Sequence, residues 1–183
     1  MGRCSLVSED FYHVQGNLMS DVALRAMLFA REAHKSHIRK YTNNPYVDHL
    51  AEVAGITATV LTDDFAIASA WLHDCVEDCG IKLPTIYETF GDKVGYGVEM
   101  LSDLETGNRA ERKEASRKRL SSAEGWVQTI KCADLISNTS SIVKHDPNFS
   151  VIYLKEKRLL LDVLDKADHR LISLARSMSI NEK

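Results

Sequence analysis

Trp71-Leu72-His73-Asp74-Cys75-Val76-Glu77-Asp78 places one imidazole and three carboxylates within six consecutive residues. The stretch follows an apolar run, Phe65 to Leu72, and precedes the breaker Gly80. Ala68, Leu72 and Val76 recur at four-residue spacing, which predicts a helix. On that helix His73 and Glu77 share one face, and Asp74 and Asp78 share another. His73 and Asp74 stand about 100° apart around the axis, so the four residues line one side of a pocket. Carboxylates this dense on a half-buried helix repel one another and destabilise it unless a cation joins them. Two readings stand at this point: a metal site, or a solvated helix end with a chance histidine. Trp71 and the aliphatic residues before the pair argue against a simple surface end.

The rest of the chain bounds the answer. At 183 residues it is long enough for one well-packed domain. Only 3 prolines and 9 glycines argue against a turn-rich β-sandwich. A net charge of −3 gives no overall signal for nucleic acid or an anionic membrane surface. No apolar stretch is long enough to span a membrane, and Met1-Gly2-Arg3-Cys4-Ser5 lacks a secretory core, so a cytoplasmic protein is expected. The 4 cysteines, Cys4, Cys75, Cys79 and Cys132, then read as reduced thiols. Cys75 and Cys79, four apart, have the spacing for zinc; the reading preferred here is small core-filling thiols behind the metal face.

Outward from the opening stretch the period is helical nearly throughout. Residues 1–19 read as an N-terminal extension, and residues 20–178 as one domain. Ser20 is expected to cap a helix from Asp21 to about His37, and a second helix runs from about Asp48 to Leu61. Thr62 or Asp63 caps the third, which carries the opening stretch unbroken to Gly80. Pro84 opens a short helix that ends at Phe90-Gly91, and Asp92 caps the next, through Leu101. Arg109 to Leu120 is strongly charged, an exposed helix or a flap. A helix follows from about Ser122 to Val143, and two more cover about 149–164 and 168–178. The fold class is therefore all-α, a single helical bundle around a central pocket.

A metal on the opening helix needs further ligands. His49 follows Pro45-Tyr46-Val47-Asp48 at a helix start, and reads as a ligand or as a capping histidine. Asp134 lies in the apolar run Ile130-Lys131-Cys132-Ala133-Asp134-Leu135-Ile136, and reads as a ligand or as a salt-bridge partner of Lys131.

Together, His49, then His73-Asp74, then Asp134 resemble the pattern of the HD-domain metal-dependent phosphohydrolases. Ala30-x-x-Ala33-His34, Arg39-Lys40, Pro45-Tyr46-x-x-His49, Trp71-Leu72-His73-Asp74-x-Val76-Glu77-Asp78, Phe90-Gly91 and Lys131-x-Ala133-Asp134-x-x-x-Asn138 look like the hydrolase domain of Rel/SpoT homologues. Gly107-Asn108-Arg109-x-x-Arg112-Lys113, Gln128-Thr129-Ile130-Lys131 and Tyr153-Leu154-x-Glu156-Lys157 look like its single-domain small alarmone hydrolase branch. The resemblance covers roughly residues 20–175.

It implies an HD-domain bundle that removes the 3′-pyrophosphate of (p)ppGpp or (p)ppApp, a small-molecule nucleotide, with Mn²⁺. The implied metal ligands are His49, His73, Asp74 and Asp134, and the implied catalytic carboxylates are Glu77 and Asp78. Arg39, Lys40 and Asn138 match substrate-contacting positions, and Tyr153 matches a nucleotide-contacting tyrosine. Arg109, Arg112 and Lys113 are expected to meet substrate phosphates, with a solvated helix as the alternative for that segment. Self-association is compatible with the resemblance. Larger members read Ala-Asp-Arg-x-His-Asn where this chain reads Ala133-Asp134-Leu135-Ile136-Ser137-Asn138. Two further readings stay open: another nucleotide phosphohydrolase on the same site, such as a nicotinamide-dinucleotide phosphate phosphatase, or a nucleotide-sensing or antitoxin-like binding module.

Overall fold

The computed structural model describes residues 22–180. The expectations for residues 1–19 and the Ser20 cap lie outside them. Among the described residues there is no strand, only an isolated antiparallel bridge between Ile38 and Pro45. The helices are α1 (Val22–Ala33), α2 (Val47–Ala58), α3 (Asp64–Leu72), α4 (Cys75–Cys79), α5 (Leu83–Phe90), α6 (Asp92–Leu101), α7 (Arg109–Ser122), α8 (Gly125–His145), α9 (Pro147–Leu161) and α10 (His169–Ser177).

α3 is the centre of the packing, in contact with α1, α2, α6 and α8. Ala66, Ala68, Ser69, Ala70 and Leu72 are all buried, as expected of a helix apolar on every side. Its small residues let neighbouring helices come close. A Cβ on Gly97 of α6 would meet Ser69 Oγ at 2.5 Å and the Trp126 ring at 2.6 Å, so that crossing requires glycine. α3 also divides the core. Ala66 and Ala70 join a cluster with Val53, Leu120, Val127, Ile130, Leu161 and Leu164. Ala68 and Leu72 join another with Phe29, Leu50, Ile86, Val94 and Val98.

Three local features differ from the sequence-based expectation. α1 stops at Ala33, and His34 to His37 form a turn. α7 extends through Ser122, and it is a regular helix. Its start is fixed by a capping box that the sequence carried in Asn108-Arg109-Ala110-Glu111: the Asn108 side chain accepts from the Glu111 N–H, and the Glu111 carboxylate accepts from the Asn108 N–H. The opening stretch is not one helix. α3 ends at Leu72 and α4 begins at Cys75, with His73 and Asp74 on the turn between them. The His73 ring donates from Nδ1 to the Ala70 carbonyl at 2.8 Å. That carbonyl is the acceptor the Asp74 N–H would use in an unbroken helix, so the side chain competes with the ladder. Asp78 N–H still reaches the Asp74 carbonyl at 2.9 Å, and α4 ends on Gly80 at φ 67°, a left-handed cap that glycine adopts without strain.

Candidate metal centre and cleft

Three elements bring the predicted ligands together. α2 carries His49 in its first turn, the α3–α4 turn carries His73 and Asp74, and the middle of α8 carries Asp134. His49 Nε2 lies 3.5 Å from Asp74 Oδ2 and 3.4 Å from Asp134 Oδ1. His73 Nε2 lies 3.0 Å from Asp74 Oδ2 and 3.9 Å from Asp134 Oδ1. Donor atoms of His49, His73 and Asp134 all fall within 4.8 Å of one another.

Each histidine is oriented from behind. His73 donates from Nδ1 to the Ala70 carbonyl, and His49 Nδ1 donates to Ser137 Oγ at 2.8 Å. Ser137 in turn donates to Glu52 Oε2 at 2.7 Å. With Nδ1 so engaged, both Nε2 atoms face the carboxylates, and both are buried without a hydrogen bond. Two unmatched imidazole nitrogens beside two carboxylates fit a divalent cation. Ser137 and Glu52 were not singled out from sequence. The signal was Ser137 standing in place of the histidine of larger relatives, and Glu52 one helical turn beyond His49.

The electrostatics agree. Burial alone would lower the pKa of His73, but the Asp74 and Asp134 carboxylates overcome it and hold it up at about 9. Burial opposes the charge on Asp74, yet the imidazoles of His73 and His49 keep its pKa well below the usual carboxylate range. Tyr46 adds a hydrogen bond from its hydroxyl to Asp74 Oδ2 at 2.8 Å. Asp134 divides its oxygens: Oδ1 faces the histidines, while Oδ2 pairs with half-buried Lys131 at 2.9 Å. The salt bridge and the ligand geometry, read from sequence as alternatives, coexist.

Glu77 and Asp78 follow on α4. The Glu77 carboxylate accepts from the Asp103 backbone N–H. Burial raises the pKa of both carboxyls, with the Asp74 charge adding to the rise. A carboxyl whose pKa is moved toward neutrality is suited to proton transfer.

Beside the centre a cleft of about 350 Å³ opens between α7, α8 and α9, with Asp134 and Asn138 on its wall. Arg109, Lys113, Arg117, Lys131 and Lys157 give it cationic groups, and Leu135, Ile142, Phe149, Tyr153 and Leu160 give it apolar surface. Arg109 crosses from α7 to α9 as a bidentate pair with Glu156, at 2.7 and 2.8 Å, and its guanidinium lies 5.2 Å over the Phe149 ring. Lys113 binds Asp103 Oδ2 at 2.9 Å. Arg39 reaches Asn138 Oδ1 at 3.0 Å, and Asn138 donates to Asp134 Oδ1 at 2.6 Å, so these two join the metal centre. Arg112 is exposed and does not line the cleft. Lys40 is held on the surface against Tyr41, at 3.1 Å, and Asp146, at 3.8 Å. Lys157, to which the sequence assigns no role, is a buried lysine that donates to Thr139 Oγ1 at 2.7 Å.

Residues 26–135 match the model of the HD domain. The chain is 33% identical over 170 residues to the probable GTP pyrophosphokinase of Mycobacterium leprae, an alignment that takes in 90% of this chain and 21% of the relative. It is 32% identical over 135 residues to the guanosine-3′,5′-bis(diphosphate) 3′-pyrophosphohydrolase MESH1 of Xenopus tropicalis, covering 71% of this chain and 75% of MESH1. The chain thus spans about a fifth of the longer curated relatives it matches. The fold superposes with a TM-score of 0.80, at 22% identity, on a solved structure described as a metazoan orthologue of SpoT that hydrolyses ppGpp and plays a role in starvation responses; 89% of this chain and 96% of that one are covered. No helix among the described residues is long and apolar enough to cross a membrane. The chain belongs to the HD-domain family, in the group that holds the Rel/SpoT homologues and MESH1.

Proposed function

We propose that this chain hydrolyses the 3′-diphosphate of guanosine or adenosine 3′,5′-bis(diphosphate) and their 5′-triphosphate relatives, with Mn²⁺, releasing pyrophosphate and a nucleoside 5′-di- or triphosphate. The observation that carries the reading is the pair of buried, unmatched imidazole nitrogens facing two carboxylates, beside a cleft that is both cationic and apolar. His49, His73, Asp74 and Asp134 would hold the cation. When bound, it supplies Lewis-acid polarisation of the phosphoryl group and acidifies water.

The remaining chemistry falls to the side chains. Water attacks the phosphorus attached to the ribose 3′-oxygen, and the bond to that oxygen breaks. Glu77, held by the Asp103 N–H, takes the proton of the attacking water, and Asp78 delivers a proton to the departing 3′-oxygen. Lys131 holds Asp134 in place and ionised. Arg39 and Asn138 approach the reacting phosphate. Arg109, Lys113 and Lys157 meet the outer phosphates, as guanidinium and ammonium groups do, while Phe149 and Tyr153 offer the base an aromatic wall. Arg112, exposed and off the cleft, and Lys40, engaged with Tyr41 and Asp146, are given no phosphate in this reading. The catalytic domain in this reading is residues 20–178, and the packing of α9 and α10 on α8 supports including the C-terminal helices.

The test is product analysis with Mn²⁺ and the guanosine and adenosine tetraphosphates side by side. Pyrophosphate release, silenced by EDTA, is the expected result. Orthophosphate release from a 5′- or 2′-phosphate substrate, or activity that survives EDTA, overturns the proposal. Nucleotide binding without turnover supports the sensing-module alternative instead.

A further inference from the structure

A second set of metal-binding side chains lies outside the centre described above. His34 and His37 sit on the turn after α1, and Cys79 is the last residue of α4. One donor atom from each lies within 4.8 Å of the other two. We propose that His34, His37 and Cys79 form a second cation site, for a zinc-type ion, with three protein ligands and a fourth position open to water.

The donor chemistry separates it from the first centre. Two imidazoles and a thiolate are the ligands of a borderline-soft ion such as Zn²⁺. The first centre has two imidazoles and two carboxylates and no sulfur. The spacing is also right. His34 Nδ1 and His37 Nδ1 are 3.2 Å apart, against about 3.3 Å for two nitrogens bound tetrahedrally to one zinc ion at 2.0–2.1 Å.

A hydrogen bond between the two rings is the alternative account of that contact, and a sulfur-to-metal signature separates the two. His34 is buried, 1% exposed. The ring is held firmly. It stacks on Tyr46 at 4.9 Å with an interplanar angle of 10°, and the Tyr46 N–H bonds the His37 carbonyl at 2.9 Å. Tyr46 also packs edge-on against His49 at 5.5 Å, so one tyrosine stands between the two clusters and orders both. Cys75, the other thiol on α4, is fully buried in the core, which leaves Cys79 as the thiol of this site. The zinc spacing seen in the Cys75–Cys79 pair thus becomes a site through the histidines of another element.

Nothing in this proposal depends on the hydrolase reading, and its test reads sulfur ligation rather than turnover. Metal-free protein is titrated with Co²⁺ as a stand-in for zinc. The expected result is two equivalents per chain, one of them bringing a thiolate-to-cobalt charge-transfer band. Cys79→Ser and His37→Asn are each expected to abolish the band and reduce binding to one equivalent. Asp134→Asn is expected to lose the other equivalent and keep the band, and Cys75→Ser is expected to keep it as well. Absence of the band in the unmodified protein overturns the proposal whatever the variants do, and so does a band that persists in Cys79→Ser.

Discussion

Lys157→Met separates stability from function at one residue. Lys157 sits on α9 in the wall of the cleft, 2% exposed, with Thr139 Oγ1 as its hydrogen-bond partner. Burial is the main cause that brings its pKa from 10.5 to about 8. At about 1.4 kcal/mol per pKa unit, that shift corresponds to at most about 3.5 kcal/mol for keeping the ammonium charged inside the fold. The cleft is open to water on one side, which reduces the figure to on the order of 2 kcal/mol.

The sign follows from proton uptake. Below the folded pKa, near 8, the amine is charged in both folded and unfolded chains, and the full penalty applies. As pH rises toward 10.5, the unfolded chain holds the proton that the folded chain has released, so native stability climbs. Methionine removes the charge at similar volume. Losing the hydrogen bond to Thr139 takes back about 1 kcal/mol, and Thr139 keeps its bond to the Leu135 carbonyl. Urea unfolding is therefore expected to show the variant more stable by about 1 kcal/mol at pH 7, with the advantage gone near pH 10. Turnover is expected to fall in the same variant, because the cleft loses a cation. A variant that is less stable at pH 7 by more than about 1 kcal/mol, or a stability difference flat across pH, refutes the reasoning.

Three further outcomes are expected. Glu77→Gln keeps the cation but loses about 10²–10⁴ in turnover, while Asp134→Ala loses both; metal content by atomic emission, read alongside rate, distinguishes them, and normal turnover in Glu77→Gln refutes its role. Ser137→Ala cuts the link from Glu52 to His49 and weakens metal affinity by about 10–100-fold, read by competition with a chelating dye; unchanged affinity counts against the relay. Gly97→Ala drives a methyl into Ser69 and Trp126 and lowers stability by about 1–3 kcal/mol in denaturant unfolding, whereas an unchanged midpoint shows that α6 can shift without loss.

Much of this was legible in the sequence because it was periodic or locally spelled. The helical period placed α2, α5, α6, α8, α9 and α10 within a few residues and the start of α3, though not its end, and Pro84 marked the start of α5. The candidate ligands stood out because a carboxylate in an apolar helix, such as Asp134, needs a partner. Other features depended on contacts between distant elements. The break at His73 comes from a side chain competing for a backbone carbonyl, which no period reveals. Ser137 gained meaning only when α2 came beside α8. The α7 cations look alike in sequence, yet Arg109 and Lys113 line the cleft, Arg112 faces water, and Arg119 turns away to Asp103 and Glu105. The capping box is spelled locally as well, by Asn108 followed three residues later by Glu111.

The place of α3 between the two apolar clusters sets how the site fails. Its residues lock both halves of the bundle at once, so no partial opening can expose the His73-Asp74 turn while leaving either half intact. Amide hydrogens of Ala66 to Leu72 should then exchange only through complete unfolding. Any cation that binds the native centre therefore stabilises the entire bundle, and raises its melting temperature with the logarithm of the cation concentration.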